Sequence, residues 1–350
     1  MKRKLLLGVF VLFLLPNVSF GQTAPNLGAT SSFALFTAGG AFNSNGATKV
    51  TGNIGSFTVT PTIAGPGIVT GTIYNVGDPA LNQPFADVST AYSDLFSRVP
   101  DNVVTIELAG QTLTPGVHST GSGSAATLTG NVTLDGQGNP NSVFIIQIDG
   151  ALTTSTFANV ILINSASPNN VYWQITGAFT LGNSSVFRGN IVSGGAIELL
   201  DASSLIGRGL TKAGAIHLHN NVVTLGSPPA NPTVTLTQPT CSVGTGTITI
   251  TAPTGIGMTY SVDGLTYTNT TGVFSSLAPG TYNVTAMNSD GYVSLRTTVT
   301  INAQPSPPAN ATASVTIQPT CSVTTGTIVV TVHWVPDMNI ILTVEPIRLQ

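Results

Sequence analysis

Side chains that could do chemistry are few in this chain, and they are widely spaced. Over residues 103–225 the acids are Glu107, Asp135, Asp149, Glu198 and Asp201, and the histidines are His118, His217 and His219. Acid–base work on a polysaccharide or ester needs convergent carboxylates or cations, and these acids sit in unrelated contexts. No Gly-x-Ser-x-Gly elbow, His-Glu-x-x-His pair or phosphate loop occurs. Glu198, His217 and His219 offer three metal-ligand atoms without the spacing a metal site requires, so they read as a solvated charge group. His118 is isolated. The expectation is a protein without catalytic residues, metal or cofactor.

Charge points the same way. Lys, Arg, Asp and Glu together make up 7% of the chain, against roughly 25% in an ordinary soluble protein. Residues 1–21 read as a signal peptide: basic Met1-Lys2-Arg3-Lys4, an apolar run from Leu5 to Leu15, then small residues at Ser19 and Gly21. Removing its three basic residues leaves 7 − 13 = −6, a balance that disfavours nucleic acid. No later stretch is apolar and long enough to span a bilayer. A secreted, monomeric protein is expected, one that meets water through hydroxyls, amides and methyls. Its two cysteines cannot form a disulfide framework.

The elements that carry these residues show themselves by repetition. Gly150-Ala151-Leu152-Thr153, Gly177-Ala178-Phe179-Thr180, Gly195-Ala196-Ile197-Glu198 and Gly214-Ala215-Ile216-His217 recur at steps of 27, 18 and 19 residues. A second phrase, an apolar residue followed by x-Gly-Asn or x-Gly-Arg, occurs at Val50, Leu128, Phe187 and Leu205. Both alternate with the period of a half-buried strand. Short strands in a Gly-punctuated repeat near 18–20 residues fit turns of a three-faced β-solenoid, whose stacked coils share one core. One segment differs. Phe85, Val88, Tyr92, Leu95, Phe96 and Val99 have helical spacing, which predicts an amphipathic helix over about 80–99 whose apolar stripe seals one solenoid face.

After a 226–232 linker rich in proline, residues 233–304 alternate like an immunoglobulin-type sandwich. Pro239-Thr240-Cys241-Ser242-Val243 recurs 80 residues later as Pro319-Thr320-Cys321-Ser322-Val323. That second copy loses its likeness after Thr331, so 305–350 reads as an incomplete, truncated repeat.

Residues 27–225 resemble the bacterial and fungal ice-binding family often called DUF3494. The resemblance rests on Leu27-Gly28-Ala29-Thr30-Ser31-Ser32-Phe33-Ala34-Leu35, Val50-Thr51-Gly52-Asn53-Ile54-Gly55 and Leu113-Thr114-Pro115-Gly116-Val117-His118. It continues through Ser142-Val143-Phe144-Ile145-Ile146-Gln147-Ile148, Val171-Tyr172-Trp173-Gln174-Ile175 and Gly207-Arg208-Gly209-Leu210, in the family's order. It implies a discontinuous right-handed parallel β-solenoid of triangular section, all-β apart from a helix packed alongside, within residues 22–225. It implies ice as the partner, held by a flat face with a loose Thr-(Ala/Gly)-x-(Thr/Asn) motif. Residues 233–304 resemble, more weakly, bacterial adhesin repeats of the gliding-motility type; there Tyr292 stands where a second cysteine is usual.

That motif maps onto five quartets preceding strands. Their expected ice-contacting residues are Ala47 and Thr48; Ser124, Ala126 and Thr127; Thr156, Ala158 and Asn159; Asn183, Ser184 and Ser185; and Ala202, Ser203 and Ser204. Stacked coils place equivalent residues about 4.7–4.9 Å apart in straight ladders. Small hydroxyls and methyls can order water in that register without the hydration shell of a charge, and threonine is stiff at χ1. Lys49 and Asp201 interrupt the quartets, which predicts moderate activity. The column Thr153, Thr180, Glu198, His217 carries two ionisable groups and is the poorer candidate on sequence grounds. The alternative function is a cell-surface adhesin whose solenoid is structural, holding a glycan or a partner cell.

Overall fold

The computed structural model describes residues 22–331 apart from 308, 309, 311, 321 and 324. The expected signal peptide, Cys321 and the end of the expected second repeat therefore lie outside the described residues. Two compact units are present: the first holds the described residues up to 235 with 249–273 and 282–299, the second 236–248, 274–281 and those from 300 onward.

Residues 33–224 form the expected solenoid, and all its strand pairs are parallel. One face is a seven-stranded sheet of Ala126–Leu128, Leu152–Thr154, Phe179–Leu181, Ile197–Leu199, Ile216–His219, Phe42–Asn45 and Thr62–Ile63, in that spatial order. The order is discontinuous in sequence. Phe42 pairs with Ile216, so the coils formed by the N-terminal segment stack beyond the last coil of the C-terminal one.

The other two faces share long strands. Val186–Ser193 and Ser204–Thr211 each pass from one face to the next. The bend falls at Gly189 (φ +118°) and Gly207 (φ +138°), in a region that side chains avoid. This is the physical reason for the repeated x-Gly-(Asn/Arg) phrase.

Inside the coils, Leu152, Phe179, Ile197, Ile216 and Phe42 form a stacked apolar column with Trp173, Ile146 and Phe187, all buried. The second face turns its own apolar side outward: Phe33, Phe36, Val117, Ile145, Val192 and Leu210 meet Val88, Ala91, Tyr92 and Leu95 of the helix Asn82–Ser97. Burying each large apolar side chain here is worth about 1.5–3 kcal/mol. The helix thus seals one face, as its stripe predicts, but it ends at Ser97 because Arg98 is already extended (ψ 134°). A short 3-10 turn, Pro79–Leu81, leads in, with Asp78 accepting from the Ala80 N–H.

Residues 233–301 form two three-stranded sheets, consistent with the sandwich expectation; Thr259–Ser261 runs antiparallel to Gly280–Met287. Thr312–Ile317 and Thr327–Thr331 form an antiparallel hairpin.

Candidate functional site

With one face under the helix, two faces lie away from it. The seven-stranded sheet is the more regular. Its pairings run from Ala126 to Thr62 without a register shift. Alternation turns Ala126, Leu152, Phe179, Ile197, Ile216 and Phe42 inward, so the residues on either side of them point out. The first outward column is Ala125, Ala151, Ala178, Ala196, Ala215 and Ala41. The second is Thr127, Thr153, Thr180, Glu198, His217, Asn43 and Thr62. Methyls thus fill one ladder, and threonines fill three consecutive rungs of the other.

The glycine before each of these alanines except Ala125, which follows Ser124, is a packing requirement. A Cβ on Gly214 would lie 2.2 Å from the Ala196 nitrogen, and one on Gly177 2.8 Å from the Ala151 nitrogen. Only glycine lets neighbouring coils close to sheet distance at this corner.

Beyond Thr127 the chain closes the sheet with Glu107. Its carboxylate accepts from the Thr127 hydroxyl at 2.8 Å and from the Ala109 and Thr129 N–H groups at 2.8 and 3.0 Å. Burial pushes this carboxyl up, yet the hydrogen bonds from Thr129, Ala109 and Thr127 outweigh it and hold the pKa below the ordinary glutamate value. Farther along, Glu198 Oε1 lies 3.7 Å from His219 Nε2.

Four of the five predicted quartets do stack, but at a corner rather than on a plane. Asn159 pairs with Val186, Val186 with Ser204, and Ser204 reaches Lys49 through Val222. In three of them the second residue is left-handed, since Phe157, Ser184 and Ala202 have positive φ; in the quartet ending at Lys49 it is the first residue, Gly46. The turn then drives the third residue inward. Thr48, Ala158, Ser185 and Ser203 are buried, as is Ala126 in its strand. These five expected contacts are corrected, since a buried side chain cannot touch ice.

They have another task. Ser185 Oγ donates to the Ser155 carbonyl at 2.8 Å and accepts from the Ala158 N–H. Asn221 Nδ2 donates to the Leu200 carbonyl and to Ser203 Oγ, and its N–H donates to Thr48 Oγ1. The corner is an internal polar ladder that ties coil to coil.

The quartet with Ser124, Ala126 and Thr127 stands apart. Its last two residues belong to the seven-stranded sheet, so it lies on a different face from the other four. Of the predicted residues, Ala47, Ser124, Thr127, Thr156, Asn159, Asn183, Ser184, Ala202 and Ser204 keep some exposure. Asn159 is engaged by Arg188, whose Nη1 donates to its Oδ1 at 2.7 Å, and exposed Phe157 projects among the corner residues.

Sequence reasoning passed over two features. The alanine column is legible in the Gly-Ala repeat, two positions before the column Thr153, Thr180, Glu198 and His217. The corner turn His219-Asn220-Asn221-Val222 was missed, although an Asn-Asn pair before Val222-Val223-Thr224 signals a left-handed turn; Asn220 has φ 53°.

Residues 36–224 match the family described as ice-binding-like. The chain belongs to that ice-binding-like family. It is 37% identical over 200 residues to an ice-binding protein of Nostoc sp. (strain HG1), covering 56% of this chain and 72% of the relative. It is 32% identical over 226 residues to an ice-binding protein of Flavobacterium frigoris (strain PS1), covering 59% and 78%. In three dimensions it is similar to the crystal structure of an ice-binding protein from the Antarctic ascomycete Antarctomyces psychrotrophicus, with a TM-score of 0.55 and 32% identity over 59% of this chain and 100% of that one. It is likewise similar to the solved DUF3494 domain of Shewanella frigidimarina ice-binding protein 1, with a TM-score of 0.54 and 29% identity. Among the described residues of this ice-binding-like chain, no helix is long and apolar enough to cross a membrane, and no cluster of three or more His, Cys, Asp or Glu could hold a metal ion.

Proposed function

We propose that this protein adsorbs to ice through the outward side of the seven-stranded sheet and thereby restrains ice growth or recrystallisation. What carries this is the paired ladder, Ala125 to Ala41 beside Thr127, Thr153 and Thr180, at a rung spacing of about 4.7–4.9 Å. Ice presents water at a repeating spacing, so its binder needs groups fixed at a repeat of their own. Alanine has no rotamer to lose and threonine has a stiff χ1. A flexible side chain would instead cost about 0.5–1.5 kcal/mol to immobilise. Family membership supports ice as the partner, and binding of this kind needs no catalytic step.

The exposed corner residues Ala47, Thr156, Asn183, Ser184, Ala202 and Ser204 border this sheet and join it as an edge, with Ser124 and Thr127 on the sheet proper. The basic, apolar and small-residue order of residues 1–21 supports export, which places the protein where ice forms. The deciding experiment is growth of a single ice crystal in a dilute solution of the protein. Faceting with a gap between melting and freezing supports ice adsorption. Smooth, unfaceted growth defeats it and favours the adhesin alternative.

A further inference from the structure

Two of the seven outward rungs do not fit a water-ordering surface. The alanine column runs unbroken through Ala178, Ala196, Ala215 and Ala41, yet beside Ala196 and Ala215 the second column changes from threonine to Glu198 and His217. These two are neighbours in register, and His219, two residues farther along the same strand, brings its Nε2 within 3.7 Å of Glu198 Oε1. All three are half-buried on the open side of the sheet. Asn43 and Thr62 then restore short, uncharged side chains beyond them.

We infer that Glu198 and His217 are the activity-limiting residues of this surface, confining productive ice contact to the Thr127–Thr153–Thr180 side. The inference rests on the sheet being the ice face. Three threonine rungs span about 10 Å, whereas seven rungs would span about 29 Å. A carboxylate holds its water in an orientation set by its charge, and stripping that water is costly. Its long side chain also has rotamers to lose on a rigid surface. An ice layer growing across the sheet from Thr180 therefore meets a mismatch at Glu198, while at the opposite end the ladder stops at Glu107, whose carboxylate the Thr127 hydroxyl already engages. The alanines alongside it show that the backbone lattice continues, so the interruption is one of side chains alone.

Thermal hysteresis of the full chain at equal molar concentration tests this. Glu198→Thr with His217→Thr completes the ladder, and threonine suits strand positions. At least a twofold gain is expected. Glu198→Gln with His217→Asn changes charge but little volume and should give a smaller gain in the same direction; it carries the test if the threonine pair lowers the melting temperature. Hysteresis at or below wild type in a variant that melts normally overturns the inference. Thr153→Tyr, run in parallel, separates the two levels. If it abolishes hysteresis while the ladder variants gain nothing, the sheet binds ice and only the limiting role of Glu198 and His217 fails. If it leaves hysteresis unchanged, the face assignment fails and takes the inference with it.

Discussion

Gln147 binds the end of the helix to the solenoid: its Nε2 donates to the Leu95 carbonyl at 2.8 Å and, at the same distance, to the Arg98 carbonyl. The last carbonyls of a helix lack intrahelical donors. A buried glutamine amide from the strand Phe144–Ile148 supplies one here, which anchors the helix C-terminus over the face it covers.

Replacing Gln147 with Ala removes the side-chain donor from those carbonyls at the helix end. A loss of about 1–3 kcal/mol is expected, read as a lower melting temperature in calorimetry. Hysteresis measured near freezing should persist, because the helix lies on a different face from the seven-stranded sheet. An unchanged melting temperature would show that water replaces the amide without cost.

On the sheet itself, added bulk should interrupt contact with ice. Ala178→Tyr projects a ring from the centre of the methyl column and should lower hysteresis several-fold without changing the circular dichroism spectrum. Ser93→Tyr, on the exposed side of the helix, serves as the matched control and should change nothing. Equal loss in both variants would point to a cause other than the sheet.

Gly214→Ala tests the tight corner. Its Cβ would fall 2.2 Å from the Ala196 nitrogen and the Gly195 carbonyl carbon, backbone atoms that cannot rotate away. Coil separation must increase, at a cost of about 1–3 kcal/mol or more. Urea denaturation reads this as a lower midpoint, and a midpoint equal to wild type would contradict the close approach.

Acid should loosen the coil at Glu107. Its folded pKa is depressed, so its contribution to stability is fully present above the ordinary glutamate value and is lost as pH falls through the folded one. Wild type should therefore lose stability faster than Glu107→Gln on titration from about pH 5 downward. Parallel acid curves for the two proteins would show that the Ala109, Thr127 and Thr129 hydrogen bonds do not favour the charged form.

The strand repeats, the helix and its sealing stripe were legible in the amino-acid order because each depends on local periodicity. Val88, Tyr92 and Leu95 share a helix face by spacing alone, and Leu152 and Phe179 are inward because alternation makes them so. Low charge and the Gly-Ala phrase likewise announced a surface of small groups on stacked coils. Which strand neighbours which was a different matter. Phe42 lies against Ile216, 174 residues away, and only long-range pairing puts Asn43 and Thr62 at the end of a ladder that begins at Thr127. The quartets show the same divide. Their residue types suited a water-ordering face, but the left-handed turn at Phe157, Ser184 and Ala202 sends the next residue inward, so Ser185 and Ser203 became links between coils. Composition marked the kind of surface this protein presents, whereas tertiary pairing decided where its ladders run in unbroken register, because register between distant strands is set by coil stacking and not by neighbours in sequence.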